Sequence, residues 1–128
     1  MRKVGVAAVP ALSEAVRRES GTTRLAAMEV IGQFGEEAGS ASTVLVEALC
    51  DRDLEIRAAA ARALGAIGAP AREAEAALGQ VLEDPEGAVR WQAAEALVRI
   101  GAERPEAIAV LMAALSDASP EVRRRASE

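Results

Sequence analysis

Ile56-Arg57-Ala58-Ala59-Ala60-Ala61-Arg62-Ala63-Leu64-Gly65-Ala66-Ile67-Gly68 decides the fold, because this stretch returns at a fixed interval. Arg24, Arg57, Arg90 and Arg123 are separated by 57−24, 90−57 and 123−90, which is 33 each time. Gly35, Gly68 and Gly101 keep that interval. So do the rows Leu12, Leu45, Leu78, Leu111 and Val16, Leu49, Leu82, Leu115. A period of this size held without insertion marks a solenoid, in which each unit cannot bury its apolar face alone and stacks on its neighbours.

The type of unit follows from composition. The 128 residues are 51% hydrophobic but only 2% aromatic, and the apolar content is mostly Ala, Leu and Val. Strands collect β-branched and aromatic side chains, so thin side chains at helical spacing favour helix on helix. The spacing predicts an all-α fold, an α-solenoid of antiparallel helix pairs in one domain over residues 1–128. The repeats fall at about 4–36, 37–69, 70–102 and 103–128, the last incomplete.

Outward from the opening stretch, each unit reads as two helices. In unit one Val6, Val9, Leu12 and Val16 form one stripe, with Pro10 either in the first turn or at a kink. Ser20 or Thr22 caps a second helix over Arg24–Phe34 whose stripe is Ala27, Val30, Ile31 and Phe34. In unit two Ser40 or Ser42 caps a helix through Cys50, and Leu54–Ile67 follows, closed by Gly68 with Pro70 beyond. Unit three offers Ala74–Glu83 and Ala88–Ile100. Unit four offers Glu106–Leu115 and a helix from Glu121 cut off at Glu128.

The strings around Ile56–Gly68 and Val89–Gly101 resemble the HEAT repeat, and more narrowly the short subclass associated with phycobilisome lyases. The resemblance covers nearly the whole chain. It implies antiparallel helix pairs in a right-handed superhelix, with second helices lining the concave surface. It also implies a ladder in which an Asp in the turn within each repeat meets an Arg at the start of the second helix. Here Asp51, Asp84 and Asp117 match the Asp, and Arg24, Arg57, Arg90 and Arg123 match the Arg. Position 18 is Arg18, so the first rung should be missing and unit one should be an atypical, terminal repeat. The pattern makes electrostatic sense, since a carboxylate is favoured beside exposed helix-start amides and an Arg fork bridges carboxylates.

Function is less legible. Net charge is −5 with a pI near 4.9, which disfavours nucleic acid and anionic membrane as partners. Cys50 is the only cysteine, there is no His, and no run of eighteen apolar residues occurs. We therefore expect a cytoplasmic chain with no catalytic, metal or cofactor residues. The expected activity is non-catalytic protein or peptide binding through the concave surface of second helices. The candidate surface is Leu25, Glu29, Gln33, Arg62, Trp91, Glu95, Arg99 and Arg124. Within it Trp91 is the only Trp, either a recognition anchor or a ring lying over a neighbouring helix. Glu29, Arg62 and Glu95 alternate in sign along successive units and read either as a mixed-charge binding row or as weak surface pairs. Two alternatives come from the resemblance. One is a bilin-lyase-like accessory factor or enzyme; no His or Tyr is present to hold a tetrapyrrole. The other is a nucleic-acid-binding module, which would need a basic face where Glu29 and Glu95 stand. Because neither terminus carries a polar cap, a fragment of a longer array or a homo-oligomer through uncapped ends is also expected.

Overall fold

The computed structural model describes residues 7–115. Seven α-helices run in chain order: α1 (Val9–Arg18), α2 (Gly21–Gln33), α3 (Ser42–Ala48), α4 (Leu54–Ile67), α5 (Glu75–Val81), α6 (Gly87–Arg99) and α7 (Pro105–Leu115). No strand occurs among the described residues. The helices form two layers. α2, α4 and α6 lie side by side as the second-helix layer, and α1, α3, α5 and α7 form the other. This is an all-α solenoid. The helix starting at Glu121, with Asp117, Arg123 and Arg124, lies outside the described residues.

The interior is the repeated column set. Leu45 and Leu78, Ile31, Leu64 and Leu97, and Ile67 and Ile100 are fully buried. Each such aliphatic side chain contributes roughly 1.5–3 kcal/mol by leaving water. Between them stand Ala60, Ala63, Ala93 and Ala96, all buried, which let the helix axes approach closely. Approach is tightest at Gly65, where an added Cβ would lie 3.0 Å from the Cα of Ala96. At the equivalent Gly32 the nearest atoms, Ala63 Cα and Ala66 Cβ, would be 3.6 Å away.

Local signals account for the long helices. Asp53 has extended backbone and its carboxylate accepts from the Glu55 N–H at 2.9 Å, capping α4. Gly68 ends it with φ at 77°, its N–H donating to the Leu64 carbonyl at 3.1 Å. Pro10 occupies the first turn of α1, where its missing donor costs nothing.

Three expectations change. First, neither Ser40 nor Ser42 caps α3. A 3₁₀ segment over Gly35–Ala41 leads into it, and the buried Ser42 hydroxyl donates to the Gly39 carbonyl at 2.8 Å. The same lead-in recurs one period later over Ala69–Ala74, so α5 begins at Glu75. Kinks at Ala38 and Ala71 turn those residues inward, and both are fully buried. Second, Ser20 stands at the N-cap of α2 but its hydroxyl makes no capping bond. Third, Val30 is exposed rather than inward. Its equivalents Ala63 and Ala96 pack on the preceding second helix at Gly32 and Gly65. Among the described residues no second helix precedes Val30.

Candidate functional site

Two side-chain systems follow the period: ion pairs at the starts of α2 and α4, and a row of hollows along the outer face of the second-helix layer.

The ion pairs join consecutive units. Arg24 Nη1 donates to Asp51 Oδ2 at 2.6 Å. One period on, Arg57 grips Asp84 with two bonds, Nε to Oδ2 at 2.8 Å and Nη2 to Oδ1 at 3.2 Å. The Arg57 Nη1 turns back to its own unit and donates to the Asp51 and Arg52 carbonyls. Arg90 repeats that backward contact on the Asp84 carbonyl at 2.6 Å. Each aspartate also accepts from a main-chain N–H two residues ahead, Asp53 for Asp51 and Glu86 for Asp84. One arginine thus holds its own turn and the next unit's turn together. The Asp53 N–H holds the Asp51 carboxyl below the usual aspartate range; burial opposes this, and Arg24 and Arg57 reinforce it. Arg18, where a first-rung aspartate would stand, lies at the surface beside Glu14.

The hollows lie between second helices. One of about 390 Å³ separates α2 from α4 and is lined by Glu29, Gln33, Arg62 and Ala66 over a floor that includes Gly32 and Ala63. The next, about 190 Å³, separates α4 from α6 and is lined by Arg62, Ala66, Gln92, Glu95 and Arg99 over Gly65 and Ala96. They share Arg62 and Ala66, so they form one discontinuous groove. Their floor is small because the close helix packing demands Gly and Ala there. Their charges are long side chains on the exposed flank of the same helices.

Of the candidate surface, Glu29, Gln33, Arg62, Glu95 and Arg99 therefore border the hollows. Leu25 and Trp91 are partly buried and line neither. The charges of the alternating row do not pair with one another among the described residues. Glu95 instead meets Arg99 within its helix at 3.7 Å, and Glu29 and Arg62 have no ion-pair partner there. The sequence reading passed over Gln92. It is only 8% exposed and lines the second hollow, and its carboxamide is not among the buried unpartnered groups, of which the described residues hold one, Arg24 Nε. Its one signal was the change from alanine to polar in a column that reads Ala26, Ala59, Gln92 and Arg125. Also missed was the pair joining Arg104 Nε to Glu75 Oε2 at 3.1 Å, seated over Gly79, where a side chain would collide with the guanidinium.

A third hollow, about 600 Å³, lies at the C-terminal end of the described residues, between Val98, Pro105 and Ile108. Cys50 is exposed. Among the described residues no three His, Cys, Asp or Glu side chains gather as a metal site, and no helix is long and apolar enough to cross a membrane.

The pattern of the HEAT repeats family matches residues 9–73 and, overlapping, 43–128. Among solved structures, the chain is similar to an engineered protein at 25% identity and a TM-score of 0.66; the match covers 92% of this chain and 59% of that one. The chain thus spans less than two thirds of that protein's length. It also resembles the complex of CpcE and CpcF of phycocyanin lyase from Nostoc sp. PCC7120, at 22% identity and a TM-score of 0.55, covering 94% of this chain and 96% of that one. No curated protein matches the sequence significantly.

Proposed function

This chain belongs to the HEAT-repeat family, and on that premise we propose that it is a non-catalytic scaffold that binds a protein partner along the outer face of α2, α4 and α6. The observation that carries this reading is the groove of two hollows sharing Arg62 and Ala66. Its lining is small side chains flanked by Glu29, Arg62, Glu95 and Arg99. It does present apolar floor and charged rim together, the layout of a recognition surface. The Arg24–Asp51 and Arg57–Asp84 pairs are occupied with holding units in register, so we assign them to the frame and not to the partner.

The test uses one substitution that fills the groove without touching the core. Ala66 is exposed and borders both hollows. Ala66→Arg should leave the melting temperature within a few degrees and abolish capture of whatever protein the unaltered chain retains. Capture unchanged by Ala66→Arg would remove the groove from the account.

A second reading, an accessory role of the lyase kind, draws on the likeness to the Nostoc complex. At that identity the likeness carries the fold and no chemistry. A visible-region spectral shift on mixing the chain with a free bilin is the outcome that would put this reading ahead of the scaffold.

A further inference from the structure

Unit four joins unit three through a contact that the earlier units do not use. Units two and three lay a 3₁₀ lead-in on the preceding first helix, with Ala38 and Ala71 turned inward and fully buried. Unit four has no such lead-in, and residues 101–104 run into α7 without helix. In the column of Ala38 and Ala71 stands Arg104, whose Nε donates to Glu75 Oε2 at 3.1 Å. Its guanidinium lies over Gly79, one turn along α5 from Glu75, where an added Cβ would fall 2.6 Å from Nη1 and 2.8 Å from Cζ. All three positions leave their columns together: Glu75 stands where unit two has Ser42, and Gly79 where it has Val46. Glycine inside a helix is unfavourable by itself, and the arginine above it accounts for its presence.

The joint beside this pair has room to move. Gly35, Gly68 and Gly101 stand one period apart at the ends of the second helices, each with positive φ. An added Cβ would lie 3.7 Å from the Ala66 carbonyl oxygen at Gly35 and 3.9 Å from the Arg99 carbonyl oxygen at Gly68, so the next second helix packs on both corners. At Gly101 it would meet nothing within 4 Å among the described residues. Nor does α7 resist movement by burial. Ala107 is its one buried residue among those described, and Ile108 and Met112 are exposed. The side chains of the Arg104–Glu75 pair are 31% and 39% exposed, so the pair is easily loosened. We infer that α7 is a latched flap: it pivots at Gly101 relative to α5, and the Arg104–Glu75 pair seated over Gly79 is the latch. Opening is local, because α2, α4 and α6 are stacked through their own buried columns. Residues 101–105 also wall the hollow of about 600 Å³, so the latch sets the shape of that hollow. The inference stands apart from the groove along α2, α4 and α6.

Amide hydrogen exchange of the full chain, read separately over α7 and α4, tests it. Raising the salt from about 0.02 M to about 1 M should speed exchange over α7 about twofold or more and leave α4 unchanged. Glu75→Gln should speed α7 by about threefold and remove its response to salt. Gly79→Ala should speed α7 as well, although alanine is the better helix former, because the methyl group displaces the guanidinium. The melting temperature of each variant checks that the rest of the array stays stacked. Unchanged α7 exchange in Glu75→Gln, a salt response that survives that substitution, or equal speeding of α4 would each overturn the inference. So would slower α7 exchange in Gly79→Ala, which is what helix propensity without a latch predicts.

Discussion

At the residue scale, one aspartate does two jobs. Asp51 accepts from the Asp53 N–H within its own turn and from Arg24 of the preceding unit. The main-chain bond is the stronger cause of its lowered pKa; burial works against it, and the two guanidinium groups add to it. A pKa lower in the folded than in the unfolded chain means that stability is gained on ionisation. That gain is present in full above the unfolded value, about 3.9 for aspartate, and is lost as the pH falls through the folded value. Asp51→Ala should therefore cost roughly 1–2 kcal/mol in urea unfolding at pH 7, since it breaks charge-assisted bonds at a partly exposed site. The gap between the two proteins should narrow in the same measurement at pH 3. A gap that does not change between the two pH values would mean that Asp51 acts by shape and not by charge. The sequence carried the period of the Arg and Asp rows, but not the direction of each bond. That direction depends on which unit's turn the guanidinium reaches, and only the stacking decides it.

At the scale of elements, α4 was readable end to end because a capping Asp53 and a closing Gly68 bracket a clear apolar stripe. The 3₁₀ lead-ins were not. Gly35–Ala41 and Ala69–Ala74 are short, small-residue segments that satisfy helix or turn equally well by composition. Their kinks are imposed by packing on each other, as where Gly39 lies against Pro70, with room of only 3.0 Å for a Cβ. Val30 was misjudged for a related reason: periodicity gives a residue's column but not whether a neighbour covers it. Gln92 was legible only as the point where the column Ala26, Ala59, Gln92, Arg125 turns polar, and its place in the lining of a hollow appears only once the helices are stacked. Column equivalence also hides energetic difference. Gly32 and Gly65 are one period apart, yet Gly32→Ala should stabilise by about 0.5–1 kcal/mol through helix propensity, because its Cβ finds ordinary contact distances. Gly65→Ala should destabilise by about 1 kcal/mol or more, because the 3.0 Å approach to backbone at Ala96 forces the helices apart. Thermal melts of the two variants moving in the same direction would contradict the spacing described for α2, α4 and α6.

For the whole molecule, the frame and the surface come from the same repeat but from different columns. Leu and Ile columns, with Ala between them, hold the layers together. The Arg and Asp columns tie each unit to the next. The columns left over are free to vary, and there the repeat stops being a repeat: Glu29, Arg62 and Glu95 replace one another, and Gln92 breaks into Ala. Function is therefore hardest to read where the period is weakest. All of this depends on second helices stacking one unit apart, with Gly32 facing Ala63. The Cβ–Cβ separation there, with a Cβ built on Gly32, is 3.8 Å, the mean value for a disulfide. The most direct measurement is oxidation of a Gly32→Cys, Ala63→Cys variant in a Cys50→Ser background, beside a Gly32→Cys, Ala96→Cys control. The stacking predicts an intramolecular cross-link in the first and free thiols in the control. Free thiols in the first, or a monomeric cross-link from Gly32→Cys to Ala96→Cys, would contradict it.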